Sequence, residues 1–190
     1  MSYQEKTRVT PEQYLALERQ AEHKSEYYDG EIFAMTGASL KHNRITLNIG
    51  SELNVQLKTR ECQAFTSDQR VHVPAIGLYT YPDVVVVCGE PQFADEHVDT
   101  LLNPTLIVEV LSKSTEDYDR GSKFRHYRSI PSFAEYLLVT QDEYRVEHNV
   151  RQADGRWLLT EYHSLEDAIP LDSIHCSLPL KEIYAKVSMQ

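Results

Sequence analysis

Apolar positions along the chain change their period about a third of the way in. Ile45, Ile49, Leu53 and Leu57 recur every four residues. That spacing lays one apolar stripe along about three helical turns, and Ser39 stands where an N-cap would be. Nearer the start, Thr10, Pro11 and Gln13 have the spacing of an N-cap, a first-turn proline and a capping-box partner. TPEQYLALERQAEHKS therefore predicts an opening helix. Asp29-Gly30 in YYDGEIFAMTG divides two short apolar runs and predicts a tight hairpin turn. After the helical stripe, β-branched residues take over, and QAFTSDQRVHVP, YPDVVVVCG and TLIVEVLS predict three strands. The last two are nearly all apolar, so both their faces are expected to be covered. STEDYDRGSKFRHYRSI predicts a helix stopped before Pro131, and AEYLLVT a further strand. Strand, helix, strand in that order gives a parallel crossover beside an antiparallel meander. YRVEHNV and RWLLTEYH flank the turn Ala153-Asp154-Gly155 and predict two strands, and LKEIYAKV predicts a closing helix.

No Pro-, Gly- or Ser-rich linker interrupts these elements, and 190 residues suffice for a sizeable core, so one domain over residues 1–190 is expected. MSYQEKTRVT has no apolar signal region, and the longest aliphatic run, Val84 to Val87, is far too short to span a bilayer. A cytoplasmic protein without a membrane partner is expected. Cys62, Cys88 and Cys176 are odd in number and widely spaced, against both a disulfide framework and a zinc site of CxxC pairs. Reduced thiols are expected. The formal net charge of -10 opposes non-specific attraction to nucleic acid, so a nucleic-acid partner would need a local basic patch.

Within LIVEVL, Glu109 is the one polar residue of an otherwise apolar strand. A carboxylate taken out of water needs a cation, a proton or several hydrogen bonds. Asp83 opens the other apolar strand, and if the two strands are neighbours the acids converge at one edge of the sheet. Paired carboxylates without nearby Cys or clustered His suit a hard cation such as magnesium or manganese. The blander readings are a turn cap for Asp83 and a buried Arg partner for Glu109. At 100 degrees per residue, Phe124, Tyr127 and Ile130 share one helical arc, and Lys123 falls inside it. Lys123 is thus expected to point inward, either snorkelling to water or orienting and deprotonating a water beside the ion. Arg125 and Arg128 project to the other side; Arg120, Lys123, Arg125 and Arg128 form the one local basic stripe, of which the three arginines are the candidate contacts to a phosphate backbone.

YPDVVVV, then LIVEVLSKST, then DYDRGSKFRHYRSIPSFAEYLLV is an order that resembles the Uma-two-type "putative restriction endonucleases", a branch of the PD-(D/E)XK nuclease superfamily. The likeness runs from about Ser25 to Val139 and includes the two acid-bearing strands, the Ser-x-Ser-Thr turn and the Asp-x-x-x-Lys helix. It implies a mixed α/β (α+β) restriction-endonuclease-like fold, a mixed sheet flanked by helices. It also implies a divalent ion, Mg2+ or Mn2+, on Asp83 and Glu109, with the Val110 carbonyl as a further oxygen. In the wider superfamily the lysine lies two residues after the acid, where this chain has Leu111. In this branch it stands on the next helix, which matches Lys123, with Lys113 at the strand exit as competitor. SEYYDGEIF resembles the family's acid-x-x-Asp-Gly segment and adds Glu26, at the rim of the first helix's apolar arc. His42 matches a histidine near the start of the second helix; the other histidines show no metal-ligand spacing. The implied activity is magnesium-dependent endonucleolytic hydrolysis of DNA by a two-fold homodimer. The alternatives are a catalytically inactive nuclease-fold module for DNA or protein binding, and a self-associating scaffold in which the acids and Lys123 are a structural ion-pair network.

Overall fold

A computed structural model describes residues 8–189. Thr10 caps α1 (Pro11–Glu18): its hydroxyl accepts from Gln13 N, while the Gln13 side chain accepts from Thr10 N. The reciprocal bonds satisfy two otherwise orphaned donors, as the spacing predicts. The helix stops at Glu18, earlier than expected, because Ser25 already belongs to β1 (Ser25–Tyr28). Asp29-Gly30 then turns the chain into β2 (Glu31–Ala34). Both turn residues have positive φ, 47° and 83°, as a two-residue hairpin requires. In α2 (Leu40–Leu57), Ser39 accepts from His42 N, and the stripe from Ile45 to Leu57 is buried.

QAFTSDQRVHVP forms two strands rather than one: β3 (Cys62–Thr66) and β4 (Arg70–Val73) are separated by a turn closed by Gln69 N on Thr66 O at 3.0 Å. Ser67 and Asp68 supply the turn chemistry that overrides the strand signal. Next come β5 (Leu78–Thr80), β6 (Val84–Cys88), β7 (Thr100–Leu101) and β8 (Leu106–Val110). The expected helix after β8 is interrupted. It consists of α3 (Glu116–Tyr118), a π-helical turn over Asp119–Lys123, and α4 (Phe124–Tyr127). β9 (Glu135–Val139), β10 (Val146–Arg151) and β11 (Trp157–Tyr162) follow as expected. An unforeseen hairpin, β12 (Ala168–Leu171) with β13 (Cys176–Pro179), precedes the single turn of α5 (Leu180–Ile183). Pro170 and Pro179 hide it from a sequence reading, since proline argues against a strand except at an edge.

Six strands form a mixed sheet in the order β11-β10-β9-β8-β6-β3. β8 and β9 run parallel, bridged by the helical segment, while β9, β10 and β11 make the antiparallel meander. Alternate residues of the central strands face opposite cores. Val84, Val86, Leu106 and Val108 pack toward α2 and α5, and Val85, Val87 and Ile107 pack toward Tyr127, Ile130 and Phe133. This is why β6 and β8 lack a polar face. A second sheet, β2-β1-β5-β4-β7, carries β1.

Reduced thiols are not what the structure has at Cys62 and Cys88, which are joined by a disulfide. The antiparallel register of β3 on β6 sets the two cysteines opposite each other, with Cα atoms 4.0 Å apart. Their 26-residue separation conceals that neighbourhood in the sequence. Cys176 is free and buried. Among the described residues, no helix is long and apolar enough to cross a membrane.

Candidate active site

β6 and β8 are antiparallel neighbours with Val84 opposite Val108. Asp83 immediately precedes β6 and Glu109 follows Val108, so the two acids stand at the same end of this strand pair. Asp83 Oδ2 accepts from Val110 N at 2.7 Å and lies 3.2 Å from His42 Nε2. It is therefore tied both to the end of β8 and to the first turn of α2.

Glu109 is buried, with Lys123 Nζ 2.9 Å from its Oε1, and the same oxygen accepts from the Tyr127 hydroxyl at 3.0 Å. Lys123 Nζ also lies 3.4 Å from Glu26 Oε1 and 3.5 Å from Asp119 Oδ1. The π turn places Asp119 and Lys123 together on the buried face, and π-bulges recur at functional sites. Glu26 reaches the cluster from β1 rather than from the first helix, correcting the expected placement on that helix's rim. It accepts from the Thr80 hydroxyl, and Thr80 Oγ1 is 3.5 Å from the Tyr127 hydroxyl. A polar chain thus runs from Glu26 through Thr80 and Tyr127 to Glu109.

Burial pushes the Glu109 carboxyl well above the ordinary carboxylate range; Lys123 pulls it down, while Asp119 and Asp83 push it further up. Burial acts to strip the proton from Lys123, but Glu109, Tyr127, Glu26 and Asp119 together hold it on. Asp119 is also raised, by burial acting against Lys123. One buried ammonium therefore answers the carboxylates of Glu26, Glu109 and Asp119, with Asp83 alongside. The cluster is short of positive charge.

The residues fit a hard divalent ion on this ground. Among the described residues, no three His, Cys, Asp or Glu side chains are grouped as ligands of one ion. Magnesium does not require three, since it usually takes one or two carboxylates and keeps waters and substrate oxygens for the rest. Asp83 and Glu109 would be that pair, and the Val110 carbonyl would add a third oxygen.

The outer residues are disposed differently. Arg120 pairs with Glu116, Nε to Oε1 2.9 Å, and with Glu147. Arg125 and Arg128 are exposed, the latter with its guanidinium 5.2 Å from the Phe124 ring centroid. Lys113 is exposed beyond the end of β8. Tyr127 and Thr80 were not singled out as candidates from the sequence, and Asp119 entered only as the first residue of the Asp-x-x-x-Lys motif. Asp119 and Tyr127 lie four residues before and after Lys123, a spacing that puts them on one helical face and was legible as such.

The fold agrees with that of a crystal structure of a "putative nuclease belonging to DUF820" from Anabaena variabilis ATCC 29413. The TM-score is 0.77 at 21% identity, over 95% of this chain and 99% of that one. Residues 11–181 match the family described as "Putative restriction endonuclease" (Uma-two), and the chain belongs to that family. Two uncharacterized proteins of Synechocystis sp. (strain ATCC 27184 / PCC 6803 / Kazusa) are similar to it. One, sll1609, is 44% identical over 153 residues, 80% of this chain and 86% of its own length. The other, slr1290, is 36% identical over 177 residues, 93% of this chain and 92% of its own length.

Proposed function

We propose that the protein is a divalent-metal-dependent endonuclease hydrolysing DNA phosphodiester bonds, with Asp83 and Glu109 as the ligands of a magnesium or manganese ion. The observation that carries this reading is geometric: the single ammonium of Lys123 lies within 3.5 Å of three carboxylates, Glu109, Glu26 and Asp119, while Asp83 is tied to Val110 N at the same end of β8. The bound ion would supply charge stabilisation at the scissile phosphate and a more acidic water.

The chain's own residues do the rest. Val110 N and His42 fix the Asp83 carboxylate, and the Tyr127 hydroxyl fixes one oxygen of Glu109. Lys123, held protonated, can donate to the attacking water or to a non-bridging phosphate oxygen. Its contact with Glu109 favours it over Lys113 as the working lysine. Among the described residues, Arg125 and Arg128 form no ion pair to an acid, and they would meet the phosphate backbone, whereas Arg120 is engaged by Glu116 and Glu147. A two-fold homodimer would present two such sites to the two strands.

Incubation of plasmid and linear DNA with the protein and MgCl2 or MnCl2 tests the assignment. Cleavage by the wild type is expected, lost with a chelator and lost in Asp83→Ala and Glu109→Ala variants that keep their cooperative melts. Undiminished cleavage by either variant would overturn it.

A further inference from the structure

Lys123 Nζ and the Tyr127 hydroxyl both reach the same oxygen of Glu109, at 2.9 and 3.0 Å. An ion arriving at Glu109 must share that carboxylate with the ammonium or displace it. Release of the ammonium to water is obstructed, because the Lys123 side chain is 7% exposed. Two other carboxylate oxygens are already at hand, Glu26 Oε1 at 3.4 Å and Asp119 Oδ1 at 3.5 Å. Movement by a fraction of an ångström brings either into close hydrogen-bond range. Asp119 shares the π turn with Lys123, so this partner travels with it.

We propose that Lys123 is an internal counter-ion that competes with the divalent metal for Glu109, and that Asp119, seconded by Glu26, takes up its ammonium when the ion binds. This rests on the reading of Asp83 and Glu109 as the ion's ligands. Lys123 then changes carboxylates instead of leaving the site, which keeps a protonated amine beside the reacting phosphate. Asp119 is in this scheme a positioning residue that acts through Lys123.

Calorimetric titration of MgCl2 and MnCl2 into the wild type, Lys123→Met, Asp119→Asn and the double variant measures the exchange without reference to cleavage. Lys123→Met is expected to bind the ion at least about tenfold more tightly, since a unit charge at contact distance is removed. Lys113→Met, at an exposed position, should stay within about twofold of the wild type. Asp119→Asn is expected to weaken binding, and most of that weakening should vanish in the Lys123→Met background. The direct charge effect of Asp119 is common to both backgrounds, so the difference isolates its action through Lys123. Equal weakening in both overturns the role of Asp119, and a Lys123→Met variant that binds no more tightly overturns the competition. If neither the wild type nor Lys123→Met binds either ion, the reading of the metal site falls, and the competition with it. Binding by Lys123→Met alone would support both. Should that variant fail to fold, Lys123→Gln, which removes the charge but keeps a donor for Glu109, is read in the same way.

Discussion

Val110 N donates to Asp83 Oδ2 at 2.7 Å, so the backbone of the residue after Glu109 holds the other acid of the pair. The two carboxylates are consequently not independent: a shift of β8 against β6 moves both. Their separation is set by the pairing of β6 with β8.

Asp83→Asn keeps an acceptor for Val110 N and removes the charge. The expected result is a loss of cleavage of at least about a hundredfold with almost unchanged stability. Asp83→Ala should in addition cost about 1–2 kcal/mol, because the Val110 donor is left unpaired. Single-turnover cleavage and urea melts of the two variants, side by side, separate the effects.

Tyr127→Phe removes the hydroxyl that binds Glu109 and approaches Thr80, with little change of volume. A destabilisation of about 1 kcal/mol is expected, together with slower cleavage at unchanged DNA affinity. A variant as fast as the wild type would show that the polar chain through Thr80 has no part in placing Glu109.

His72 stacks on Tyr79 with ring centroids 4.0 Å apart, and burial lowers its pKa from 6.5 to about 4. Between those values the unfolded chain binds the proton more readily than the folded one. The stability owed to neutral His72 is therefore complete above pH 6.5 and is lost as pH falls toward about 4. Melting temperatures across that window should decline more steeply for the wild type than for His72→Phe, which keeps the stacked ring and cannot titrate.

The disulfide between Cys62 and Cys88 ties β3, at the edge of the six-stranded sheet, to β6. Closing a loop of this length constrains the unfolded chain by about 3 kcal/mol. Dithiothreitol should lower the melting temperature of the wild type and leave that of Cys62→Ser/Cys88→Ser unchanged. Equal melting of the wild type with and without reductant would show that the bridge contributes nothing to stability.

Local chemistry was readable in the sequence wherever it is decided by a few neighbouring residues. Thr10 and Gln13 declare their capping box, Asp29-Gly30 its hairpin, and Ile45 to Leu57 the buried stripe of α2. What depends on pairing between distant strands was not. Cys62 and Cys88 look unrelated until the register of β3 on β6 is known. Glu26 looks like the rim of a helix until β1 pairs with β5 and delivers it to Thr80. Of the cluster, Asp83, Glu109 and Lys123 stood out because burying a charge is costly, the strands of the two acids are apolar, and Lys123 falls on the arc of Phe124, Tyr127 and Ile130. Tyr127 did not, because an inward tyrosine on a helix reads as core until its hydroxyl is seen to have a partner.

The π turn between Asp119 and Lys123 gives this stretch of chain an unusual kind of vulnerability. The direction of Lys123 is governed by how many residues precede it in the helical segment. What stands at Gly121 matters less, since a methyl added there would meet nothing within 4 Å. Substitutions there should be inherited freely. Insertion of one further codon is another matter: the π turn already takes up one extra residue, and a second would swing Lys123 by about 100° relative to the residues before it. Such an insertion is expected to leave the two sheets in place while turning the amine away from the acids. A lineage could thereby part Lys123 from Glu109 in one mutational step while keeping the scaffold for other uses.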